Sequence, residues 1–67
     1  MYPNLRAEAA RKKMSFGTLA EKIGIAKSSM FNKLNGTYHF TLEEAEKIRQ
    51  ALDVDIPLDV LFEREEA

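Results

Sequence analysis

Apolar residues recur along this chain at intervals of three and four, the spacing that lines one face of a helix. The clearest run is Leu42, Ala45, Ile48 and Leu52, with Glu43, Glu46, Lys47, Arg49 and Gln50 polar between them. Thr41 and Glu44 stand at its head as T-x-x-E, a capping box in which each side chain takes the other residue's backbone N–H. Leu5 and Ala9 lie four apart in a run of alanine and long-chain residues, which predicts a first helix over 5–13 with Asn4 as its N-cap and Met14 closing the segment. Two short helices follow. One covers 16–23, is capped by Ser15 and carries Leu19, Ala20 and Ile23; the next runs from Ala26 or Lys27 to Leu34 and carries Met30 and Leu34. Gly24 falls where the first of this pair must stop and Gly36, after Asn35, where the second must, because glycine enters the left-handed region without a Cβ penalty. Pro57 suits the first turn of a fifth helix reaching about Phe62, with Leu58, Leu61 and Phe62 apolar, Val60 on the flank and a frayed tail over 63–67. The pattern predicts an all-α fold, a compact bundle of five short helices forming one domain over 1–67.

Composition narrows what can hold such a bundle together. With 67 residues the core is small, and the absence of cysteine removes a disulfide staple. His39 is the only histidine, so neither a structural zinc site nor any other metal site or cofactor is expected. No apolar run has the length of a signal peptide or a membrane span, which predicts a soluble, cytoplasmic protein. Net charge is −1, but it is divided. Residues 1–40 hold seven Lys or Arg against Glu8 and Glu21, a balance of +5, whereas residues 41–67 hold Lys47, Arg49 and Arg64 against nine acidic residues, a balance of −6. A polyanion needs local positive potential rather than a basic total, so the first half is the one suited to it and the acidic half should face away.

The stretch 16–36 carries a motif. Leu19, Ala20, Glu21, Lys22, Ile23, Gly24, Ile25 and Met30 supply, in order, apolar residue, alanine, two polar residues, apolar residue, glycine, apolar residue and a mid-helix apolar residue. Here the chain resembles the helix-turn-helix of phage repressor and Cro-type regulators, and its flanking segments resemble the outer helices of that family. The resemblance implies a lambda-repressor-like DNA-binding domain with helices two and three as the motif, acting on double-stranded DNA in transcription regulation. It implies no small-molecule ligand and no membrane, and few base contacts per copy suggest a homodimer on half-sites about 34 Å apart. Apolar residues near Val60 and Phe62, or the tail, are candidates for that dimer contact.

A recognition helix meets base edges with its N-terminal residues, so Lys27, Ser28 and Asn32 are the base-reading candidates. Lysine donates to guanine O6 and N7, asparagine pairs bidentately with adenine, and serine serves either way. Backbone phosphates fall to Ser15 and Phe16 at the start of helix two, to Ser29 and Lys33, and to Thr37 and Tyr38 in the following loop. Lys13 is a further candidate, from the cluster Arg11, Lys12 and Lys13. Phe31 is either a flank of the core or a contact to a thymine methyl. Three positions depart from the family pattern: Phe16 replaces a polar residue, often glutamine; Ala26 replaces a hydroxyl cap; and Lys33 stands where an apolar residue is usual, Leu34 taking that role one position later. Rotation of helix three by part of a residue would bring Phe31 or Ser29 into the place of Ser28.

No partnered nucleophile, glycine-rich phosphate loop or carboxylate pair suggests an enzyme. The competing reading is a protein-interaction module, antitoxin-like or anti-repressor, that keeps the fold and binds a partner protein through its acidic half.

Overall fold

The computed structural model describes residues 1–65, which form five helices and no strand: α1 (Pro3–Arg11), α2 (Phe16–Ile23), α3 (Lys27–Leu34), α4 (Leu42–Leu52) and α5 (Leu58–Leu61). The first four end in the same hydrogen-bonded reversal. After α2, Gly24 takes φ 81°, its N–H reaches Glu21 O (3.3 Å) and that of Ile25 reaches Ala20 O (3.0 Å). This satisfies two carbonyls that the helix end would leave open. Gly36 (φ 87°) does the same after α3, with Thr37 N–H on Asn32 O. Lys13 and Asp53, both at φ 55°, do it after α1 and α4 without being glycine. A Cβ at Gly24 would have no neighbour within 4 Å, so glycine is needed there for the backbone angle and not for packing.

The start and end of α1 differ from the sequence expectation. Asn4 is not its cap; the helix begins at Pro3, which lacks the N–H that a first helical residue would leave unpaired. Asn4 Nδ2 instead donates to Val60 O (2.9 Å), tying α1 to α5. Tyr2 precedes the helix in the left-handed region (φ 57°), and its ring is only 3% exposed. It meets Phe40 (5.3 Å between centroids) and Phe62 (6.2 Å) edge-on, and these two rings lie 5.2 Å apart. Burying that ring is worth more than the Asn4 cap, since an aromatic side chain hides far more apolar surface than a cap saves. At its other end α1 stops at Arg11 because Lys13 turns left-handed and Met14 N–H bonds Ala9 O.

The core holds Leu5, Ala9, Leu19, Ala20, Ile23, Met30, Leu34, Ile48, Leu52 and Leu61, with Tyr2 at one end. Among the described residues no polar or charged side chain is buried. Helix α2 packs on both α3 and α4, and fully buried Ala20 keeps its side short enough for close approach. The apolar face of α4 is shorter than its letters suggest. Ala45, Ile48 and Leu52 are buried, but Leu42, at the first helical position, is 69% exposed because it precedes the first turn that meets the core. Pro57 caps α5 rather than lying within it, and the helix ends at Leu61 with Phe62 as the C-cap. Residues 63–65 of the expected frayed tail lie outside any helix, and residues 66 and 67 fall outside the described residues. No helix among the described residues is long and apolar enough to cross a membrane.

Candidate nucleic-acid interface

Helix α2 starts where Ser15 Oγ accepts the Thr18 N–H (3.1 Å) and donates to Thr18 Oγ1 (2.9 Å). The Ser15 hydroxyl is therefore engaged in the cap, and the N–H groups of Phe16 and Gly17, which have no intrahelical acceptor, remain the anion-facing donors of this end. The Phe16 ring packs against the core, half-buried. Lys27, the first residue of α3, lays its side chain beside Gly17: a Cβ there would stand 3.4 Å from Lys27 Cε and 3.9 Å from Nζ. Two helix N-termini, each with partial positive charge, and one ammonium thus share a small region. Ala26 caps α3 with its backbone alone.

At about 100° per residue, buried Met30 and Leu34 define the inner line of α3, and Asn32 lies opposite it. Asn32, Ser28 and Lys27 are all exposed, while Ser29 is half-buried, so Ser28 keeps the outer position and Ser29 turns toward the side. The two flanks differ. On one, Lys33 Nζ bonds Glu44 Oε1 (3.0 Å) and His39 O (3.2 Å), and both side chains of the ion pair are less than one-fifth exposed. The Lys33 ammonium is drawn to the head of α4 and is paired there rather than standing free on the outer face. On the other flank Phe31 is 49% exposed, so about half of its surface remains open to a partner.

Thr37 and Tyr38 are exposed in the loop after α3. Two arginines lie around the start of that loop and the end of α3, and no local pattern in the chain points to either. Arg6 Nε donates to Met1 O (2.8 Å) and its Nη2 to Leu34 O (3.4 Å), at the C-terminal end of α3. Arg64 Nη1 lies 3.4 Å from His39 Nδ1, and the guanidinium carbon stands 5.9 Å above the Tyr2 ring. Arg64 belongs to the acidic half of the sequence yet returns to the loop after α3. Of the basic cluster on α1, Arg11 pairs with Glu8 (2.6 Å) and Lys12 Nζ approaches Asp53 O (3.4 Å). Exposed Lys13 has no ion-pair partner among the described residues.

Glu44 makes three hydrogen bonds, accepting two and donating one. Its Oε1 accepts the Thr41 N–H (3.0 Å) as well as Lys33, and its own N–H goes to Thr41 Oγ1 (3.1 Å), completing the capping box. Burial alone would raise the Glu44 pKa; the Thr41 N–H and the Lys33 hydrogen bond and charge outweigh it and hold the pKa below 4.5. A carboxylate with a lower pKa folded than unfolded contributes its full stability above the unfolded value and loses it as pH falls through the folded one. Thermal melts of the wild type should therefore weaken below about pH 4.5. Glu44→Gln should cost roughly 1–2 kcal/mol at neutral pH, with the gap to wild type closing as pH falls through the lowered folded pKa; a gap constant with pH would contradict this assignment.

The description of one family of known proteins fits residues 4–61: Cro/C1-type HTH DNA-binding domain. Comparisons with curated proteins and with solved structures each gave no match.

Proposed function

Since the chain belongs to the Cro/C1-type helix-turn-helix DNA-binding domains, we propose that it binds double-stranded DNA sequence-specifically as a transcriptional regulator, with α3 in the major groove. The observation that supports this reading is the outer face of α3: Ser28 and Asn32 are exposed opposite buried Met30 and Leu34, and exposed Lys27, in the first turn, lies beside an α2 N-terminus that it makes more positive. Lys27, Ser28 and Asn32 read base edges. The Phe16 and Gly17 N–H groups, Thr37, Tyr38 and Lys13 hold phosphates and set the register. Repression follows if the site overlaps a promoter.

Two copies on adjacent half-sites supply the affinity that one copy's few contacts lack. The surface suited to joining them is the groove of about 310 Å³ between α4 and α5, lined by Phe40, Leu42, Ala45, Leu58 and Phe62. Leu42 and Val60 are the large apolar side chains exposed on those helices. A size measurement showing only monomer on a palindromic duplex would remove the dimer. The same groove is what a protein-interaction module would use.

Binding of a labelled mixed-sequence duplex tests the reading. With about four phosphates neutralised, affinity should fall roughly a hundred-fold between about 50 and 200 mM salt. No binding at the lower salt would transfer the function to a protein partner.

A further inference from the structure

Phe31 is the one large apolar side chain of α3 that the core does not take: Met30 and Leu34 are fully buried, and Phe31 is half exposed. Its direction is defined by its neighbours. Lys27, one turn earlier on the same flank, reaches the start of α2, whereas the opposite flank is closed by the Lys33–Glu44 pair. Phe31 therefore lies on the open flank, between the line of Ser28 and Asn32 and the positive start of α2. An apolar ring in that position meets a polyanion's groove, not its phosphates. The major groove offers one apolar group, the C5-methyl of a pyrimidine.

We propose that Phe31 reads a pyrimidine C5-methyl group, so that the preferred site carries thymine or 5-methylcytosine opposite the middle of α3. The inference rests on α3 being the recognition helix. It makes specificity depend on a methyl group as well as on hydrogen bonds, and it gives a methylated cytosine a way to substitute for thymine.

The test begins with selection of a preferred duplex from a random pool by the wild-type protein. Each thymine is then replaced singly by uracil, which removes the methyl and keeps every hydrogen-bonding group. One position should weaken wild-type binding about four-fold, the worth of one buried methyl. Cytosine and 5-methylcytosine at that position should differ in the same sense, which separates the two sources of the methyl. Phe31→Ala should bind the thymine and uracil duplexes equally, and Phe31→Leu should keep part of the difference; a melt of each variant establishes that it is folded. Indifference of the wild type to every uracil, or full discrimination by folded Phe31→Ala, overturns the proposal and leaves Phe31 as an apolar contact for a protein. If no sequence is enriched at all, the recognition-helix reading falls and this proposal falls with it; enrichment without methyl dependence removes this proposal alone.

Discussion

Met30→Ala is expected to lower the unfolding free energy by about 2–5 kcal/mol, the usual cost of emptying a fully buried site of that size. Met30 is 0% exposed and anchors α3 to the rest of the core with Leu34. A chain of this length has a total stability of roughly 3–10 kcal/mol, so the loss consumes a large part of it. Urea titration should show the midpoint falling with little change in slope, and DNA affinity should fall in proportion to the folded fraction. A midpoint that barely moves would mean that α3 is held by something other than this side chain.

Asn32→Ala acts on the opposite side of the same helix and should have the opposite profile. The side chain is exposed and makes no hydrogen bond among the described residues; the Thr37 N–H bonds the Asn32 backbone carbonyl, which alanine keeps. Stability should stay within about 0.5 kcal/mol of wild type. Binding to the preferred duplex should weaken by about 1–3 kcal/mol, and discrimination should relax at one base pair only. Competition between the preferred duplex and its single-base variants measures this. Uniform weakening over all sequences would reassign Asn32 from base to backbone.

These two variants mark how far the letters could be read. Apolar spacing located all five helices, and Gly24 and Gly36 named their own turns, since only glycine enters the left-handed region freely. Lys13 and Asp53 make the same turn with side chains that give no such signal, so α1 ends two residues before the point its composition predicts. Phe31 and Leu42 show the other limit. Both are apolar at plausible helical positions, yet whether they are covered depends on where neighbouring helices cross, which spacing does not encode. Lys33 and Glu44 are eleven residues apart, and their pairing depends on how α3 meets the head of α4. Arg64 reaches the loop after α3 through the path of the C-terminal segment, and no local pattern announces it. The outward placing of Ser28 and Asn32 is legible because it depends only on the period of one helix and the position of its two buried residues, whereas Lys27 is exposed because it opens the first turn.

The uneven distribution of charge has a kinetic consequence. The molecule measures 28 × 26 × 21 Å, between two and three Debye lengths of about 10 Å at 0.1 M salt. A DNA duplex beyond that range meets a nearly neutral particle of net charge −1 and gains no long-range acceleration toward it. Within it, on the proposed reading, the duplex is drawn to the end where Lys27 lies beside the start of α2. Attraction of this kind selects orientation more than it speeds encounter. On that reading fewer collisions are captured, and those that are captured arrive with α3 turned toward the duplex.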